Sequence, residues 1–134
     1  FEIHFIMLSQ WLAVAAGGAI GATARYGLST AIYQSVGKSF PYGTLAVNVI
    51  GCLLIGLASV HWIERVTFGD TWRLFLIIGV FGGFTTFSTF SLETIQLLQQ
   101  GEPGKALANI GVSLIACLAA TYIGWLIARG SALT

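Results

Sequence analysis

The residues able to do chemistry in this chain are few, and nearly all sit inside apolar runs: Arg25, Asn48, the segment from Gly79 to Glu93, and the polar positions of the last apolar run. Polar groups at membrane depth are costly and usually functional. The segment Gly79-Val80-Phe81-Gly82-Gly83-Phe84-Thr85-Thr86-Phe87-Ser88-Thr89-Phe90-Ser91-Leu92-Glu93 is the richest of these. Gly-Gly followed by two threonines makes a poor helix interior, because a glycine costs about 1 kcal/mol relative to alanine. In lipid, a helix break is tolerated only where protein or a water-filled cavity takes up the freed backbone groups. Gly82-Gly83 therefore predicts a break near mid-span. Its carbonyls either pack away as a plain kink or hold a hard cation such as sodium, which suits oxygen ligands.

Beyond the break, Phe84, Phe87 and Phe90 are three apart and share one helix face, with Thr85 and Thr89 opposite. Such a stripe either packs or acts through its ring edges, which are electropositive. Ring edges beside the Ser88 and Thr89 hydroxyls are able to escort a small, partly dehydrated anion. Asn48 either adds an amide donor to that task or holds helices together. Arg25 either snorkels, pairs with Glu93, or draws anions into a vestibule.

These groups need elements to hold them, and the composition says which. The chain has 134 residues, 56% hydrophobic and 8% charged, with a mean hydropathy of +0.85. A soluble domain carries about 25% charged residues, so most of this surface does not face water. The net charge of +1 gives no electrostatic reason to expect a nucleic-acid partner. A span needs about 20 mostly apolar residues, and four runs qualify: about 8–33, 42–63, 72–98 and 106–128. The connectors between them hold Lys38, Glu64, Arg65, Asp70, Glu102 and Lys105. Trp11, Trp62, Trp72 and Trp125 fall near span ends, as an interfacial aromatic belt requires. Residues 1–6 precede Met7, whose "MLSQW" reads as a natural start; they are left out of the fold, and 7–134 is taken as one four-helix domain. Cys52 and Cys117 lie in apolar runs and read as small buried residues. His4 and His61 lie in the N-terminal stretch and near a span end, which argues against a haem held by paired histidines.

Small residues recur every four positions: Ala13, Gly17 and Gly21 in the first span, Ala116, Ala120 and Gly124 in the fourth. Such rows let backbones approach closely, within one bundle or between subunits. Lys and Arg are almost balanced across the membrane. Arg65, Arg73 and Arg129 fall on one side, against Lys38 and Lys105 on the other, joined by Arg25 if it reaches that surface: three against two or three. Orientation is normally set by an excess of these residues on one side. Without it, the chain is expected to insert both ways, and the natural product of dual topology is an antiparallel dimer.

The string "GVFGGFTTFSTFSLET" strongly resembles the third helix of the Fluc (CrcB) fluoride channels. "GGAIGATARYG" in the first span and "PYGTLAVNVIG" entering the second resemble the same family, in the right order and spacing. The resemblance implies an all-α membrane protein of four transmembrane helices forming an antiparallel dual-topology homodimer. It implies passive export of fluoride through two pores, multi-pass in the cell inner (plasma) membrane, to relieve fluoride toxicity. It carries specific residues with it. Gly82 and Thr85 match positions whose carbonyls, from both subunits, hold a structural sodium ion. Phe87 and Phe90 match pore-lining phenylalanines, and Asn48 a polar residue at the pore. Ser88 and Thr89 match a hydroxyl track that Thr121 continues on the fourth helix. Arg25 and Glu93 match charged positions near the vestibule and interface. Cys117 stands where some members place a serine, and Asn109 where some place a tyrosine, so the fourth helix departs from the family pattern.

Two other classes compete. A dual-topology proton-coupled exporter needs a membrane-embedded carboxylate; the first two spans have none, and Glu93 sits toward the end of the third. A structural subunit of a larger complex predicts no flux from the purified chain. No embedded nucleophile–base pair or transition-metal ligand cluster points to an enzyme. The charge balance makes its own prediction: single cysteines introduced into the connectors at 34–41 and 64–71 are each labelled from both sides of intact membranes. Labelling of only one connector from a given side contradicts dual topology.

Overall fold

The computed structural model describes residues 2–60 and 69–131. Every regular element among them is helical: α1 (Glu2–Val36), α2 (Tyr42–Ala58), α3 (Asp70–Arg73), a π-helical segment (Leu74–Phe81), α4 (Gly82–Phe84), α5 (Phe87–Gln99) and α6 (Pro103–Ser131). The stretches Ile6–Val36, Asp70–Gln99 and Pro103–Ser131 are each long and apolar enough to cross a membrane. They extend the expected spans by a few residues at each end. The second apolar helix, α2, has 17 residues, about 25 Å at 1.5 Å per residue. The expected end of that span at residue 63, together with His61, Trp62, Glu64 and Arg65, lies outside the described residues. Residues 2–6, set aside on sequence grounds, continue α1 without interruption.

The connections are short because glycine reverses the chain where a helix stops. Gly37, with φ +84°, follows α1 and donates its N–H to the Tyr33 carbonyl at 3.0 Å. Gly101, with φ +74°, does the same between α5 and α6, donating to Leu98 at 3.1 Å. The left-handed conformation costs a glycine nothing, since it has no Cβ.

The helices pair α1 against the first half of the third span and α2 against α6, with α5 also on α6. Both main seams rest on missing side chains. A Cβ on Gly17 would collide with the Phe75 carbonyl and stand 3.0 Å from the Gly79 Cα. A Cβ on Gly124 would collide with the Leu53 carbonyl, and one on Gly56 with the Thr121 carbonyl. Gly17, Gly21 and Gly124 thus pack against neighbouring helices of the same chain. Water does not drive association in lipid, so such close van der Waals contact supplies it. Trp11 and Trp72 stand exposed, at 72% and 60%. Trp125 stacks on Tyr122 and lies under the Arg129 guanidinium, 4.8 Å from its ring centroid. These three tryptophans mark the membrane face shared by the start of α1, the start of the third span and the end of α6.

The third span departs from the expected course in two ways. Leu74–Phe81 is π-helical, a form often found at functional sites. The break falls at Thr85 and Thr86, both in extended conformation, and not at Gly82-Gly83, which stay helical in α4. The reason is packing. A Cβ on Gly83 would stand 2.8 Å from the Gly18 carbonyl of α1, so that glycine is spent on close approach, and the threonines take the extended conformation their branched Cβ favours. A bulky residue at a seam should be far more damaging than at an outer face. Gly17→Leu is expected to abolish the monodisperse folded species in detergent size-exclusion chromatography, whereas Gly111→Leu, where a Cβ meets nothing within 4 Å, leaves it intact.

Candidate functional site

The break leaves Thr86 buried at 7% exposure with a main chain that no helix satisfies. Asn48 on α2 meets both groups at once: its Oδ1 accepts from the Thr86 N–H at 2.7 Å, and its Nδ2 donates to the Thr86 carbonyl at 3.0 Å. The amide thus acts as a one-residue strand partner. A buried backbone group left unpaired costs about 1–3 kcal/mol, so this two-point contact decides whether the break is tolerable. An asparagine amide has two N–H donors, and the brace uses one.

Thr86 also starts the next helix. Its Oγ1 accepts from the Thr89 N–H at 3.2 Å, capping α5. The same oxygen donates to Thr89 Oγ1 at 3.0 Å and lies 3.2 Å from Ser88 Oγ. Three hydroxyls are therefore gathered at the positive end of a 13-residue helix. Phe87 and Phe90 stand beside them, ring centroids 5.3 Å apart, with Phe87 79% exposed. Phe84 does not share their face: it is buried at 8%, because the extended residues interrupt the helical period that would have aligned it.

A cleft of about 530 Å³ opens onto this region. Its walls include Asn48, Gly51 and Cys52 from α2, Gly82, Thr85, Thr86 and the two phenylalanines from the third span, and Ser113 and Cys117 from α6. Gly51 makes room for the bend, since a Cβ there would collide with the Thr85 side chain. The break deprives the Gly82 carbonyl of its usual donor, because the Thr86 N–H goes to Asn48. Gly82 and Thr85 both line the cleft. Two backbone carbonyls at a negative helix end form a donor set that suits sodium, so the residues present fit that ion.

The other predicted residues are spread around this centre. Arg25 lines a second cavity of about 290 Å³ on the α1 side, with Thr44, Thr86 and Thr89, so Thr86 and the cluster stand between Arg25 and the cleft. Arg25 does not pair with Glu93. Glu93 Oε1 accepts from the Tyr33 hydroxyl at 2.7 Å, which in turn lies 3.2 Å from Thr44 Oγ1. Asn109 donates to Thr94 Oγ1 at 2.9 Å and accepts from Ser113 at 3.3 Å. Thr121 stands apart: its hydroxyl donates to the Cys117 carbonyl of its own helix at 3.1 Å, and it packs on Gly56. Two residues escape the sequence reading. Thr86 is visible only as a threonine three before another hydroxyl, a capping signal. Ser113 is visible in the stripe Asn109, Ser113, Cys117, four apart on one face.

The family described as CrcB-like protein, Camphor Resistance (CrcB), matches residues 12–125. The chain is 48% identical over 122 residues to a protein of Citrifermentans bemidjiense named fluoride-specific ion channel FluC, covering 91% of this chain and 98% of that one. Proteins of the same name from Sorangium cellulosum and Opitutus terrae are each 46% identical, over 122 and 125 residues. They cover 91% and 92% of this chain and 96% and 95% of their own.

This chain belongs to the CrcB family. The CrcB match spans α1 through most of α6, so the break, the Asn48 brace and the hydroxyl cluster all fall within it. The brace makes a graded prediction for this CrcB protein. Asn48→Leu orphans both Thr86 main-chain groups and is expected to cost about 2–4 kcal/mol. Thr89→Val removes one hydroxyl contact and is expected to cost about 1 kcal/mol. Thermal unfolding in detergent checks the order; a Thr89→Val loss as large as that of Asn48→Leu contradicts the brace.

Proposed function

We propose that the chain is a fluoride-selective channel that lets fluoride leave the cell passively, working as an antiparallel homodimer in the cell inner membrane. The observation that carries this reading is the braced break at Thr85–Thr86: the Asn48 amide, Thr86 and the Phe87 and Phe90 rings line one cleft, and the Ser88 and Thr89 hydroxyls lie within reach of Thr86 Oγ1. Fluoride is small and strongly hydrated. Moving it into a low-dielectric interior costs many kcal/mol unless donors replace its water. The Ser88 and Thr89 hydroxyls, the second N–H of Asn48 and the ring edges of Phe87 and Phe90 are such donors. None is a fixed positive charge, so the ion is held weakly enough to leave again, as conduction requires. Ser113 suits the fourth-helix part of this track better than Thr121, because Ser113 lines the cleft and Thr121 does not. The relatives' common name, fluoride-specific ion channel, agrees with this chemistry.

The dimer follows from a limit on lipid contact. Backbone groups that lose their helical partner at membrane depth must be covered by protein or face water, yet Gly82, whose carbonyl has lost its donor to Asn48, is exposed in the single chain, as is Phe87 beside the break. A second copy inserted the opposite way supplies the cover and lines each route from both subunits. A structural sodium ion, held by the Gly82 and Thr85 carbonyls of both copies, would neutralise the negative helix ends at the centre. Arg25 and Glu93 serve at the vestibules and the interface. The physiological purpose is relief of toxicity: hydrogen fluoride enters uncharged, ionises inside and leaves as fluoride.

Phe87→Ile removes a ring edge without changing charge, and Asn48→Asp sets an anion where the amide donor stood. Each is expected to cut fluoride efflux from loaded liposomes at least about tenfold, a barrier of about 1.4 kcal/mol, with the dimer still seen by cross-linking. Unchanged efflux in both variants contradicts these roles.

A further inference from the structure

Cys52 and Cys117 are nucleophiles that the ion pathway does not use. Each lies one helical turn from a polar residue of the cleft: Cys52 four residues after Asn48 on α2, Cys117 four after Ser113 on α6. Both line the cleft, and both are free thiols and half-buried, one on each of the two helices that meet at this seam. The seam itself is fixed by backbone approach at Gly56 and Gly124, so the two helices that carry the thiols are held together before any ligand arrives.

We propose that Cys52 and Cys117 form a two-sulfur site for a soft divalent cation of the mercuric class, set in the wall of the cleft beside Phe87 and Phe90. Soft thiolates select soft metals, and such a d10 ion is satisfied by two sulfurs, so no third ligand is required. Two S–H bonds break, two metal–sulfur bonds form, and two protons leave to water. The product carries no net charge: a divalent ion with two thiolates is neutral, which suits a low-dielectric wall. Preorganisation by the glycine seam gives the second sulfur a high effective concentration once the first has bound. An occupied site narrows the cleft one turn from Asn48.

The test uses full-length protein in liposomes with mercuric nitrate as the probe. One mercuric ion per chain is expected to protect both thiols from maleimide labelling after unfolding in detergent. In Cys52→Ser and Cys117→Ser the metal is held by one sulfur, and about 100-fold less glutathione is expected to strip it than from the parent chain. A requirement for two ions per chain to protect both thiols, or equal glutathione sensitivity in parent and single variants, overturns the site. Neither readout involves flux. A third measurement couples the site to the proposed channel: metal occupancy is expected to lower fluoride efflux at least tenfold, with the Cys52→Ala/Cys117→Ala double variant insensitive. Full efflux with both thiols metallated leaves the site standing and overturns the placement of the fluoride route in this cleft.

Discussion

The structure depends on one side chain satisfying one main chain. Asn48 gives Thr86 both hydrogen bonds that the interrupted third span takes away. Without that contact, two buried polar groups would stand in a low-dielectric interior, and the cheapest remedy would be a continuous helix. A continuous helix would return the Gly82 carbonyl to its usual donor, bury the Thr86 hydroxyl against its own backbone, and realign Phe84 with Phe87 and Phe90. The brace thus separates two half-helices so that a negative end and a positive end meet at one point. Carbonyl oxygens gather on one side of that point and hydroxyl donors on the other, which is the pairing a site for opposite ions requires.

The surrounding bundle exists to hold those ends at close range. Side chains thick enough to pack an ordinary soluble core would push α2 away from Thr86 and α1 away from the π-helical segment. Glycines at both seams bring backbone onto backbone instead, and the short, glycine-reversed connections keep neighbouring helices antiparallel. The arrangement leaves one side of the break uncovered within a single chain. That open face is where the cleft, the exposed Phe87 ring and the freed carbonyls coincide.

Much of this was legible in the sequence because lipid makes composition decisive. The spans follow from hydropathy, and the special character of Gly79–Glu93 follows from placing glycines and threonines where leucines would serve a plain span. The position of the break did not follow. Gly82-Gly83 has the weaker helix propensity, but Gly83 is committed to α1 through Gly18, a long-range contact that local propensity does not encode. The π-helical turn of Leu74–Phe81 leaves no mark in a run of large apolar residues. Asn48 was recognisable as a costly polar group, yet its partner was not, since Thr86 lies 38 positions away. Glu93 and Arg25 were suspected of pairing from their charges alone; the nearer Tyr33 hydroxyl takes the carboxylate instead.

The central claim is that a braced break surrounded by neutral donors passes a small hydrated halide and refuses a larger one. Reconstituted wild-type protein in liposomes loaded with both fluoride and chloride tests it most directly, each ion being followed by its own electrode. The account predicts rapid, complete loss of fluoride with chloride retained. Retention of both ions, or loss of chloride at the same rate as fluoride, would contradict it.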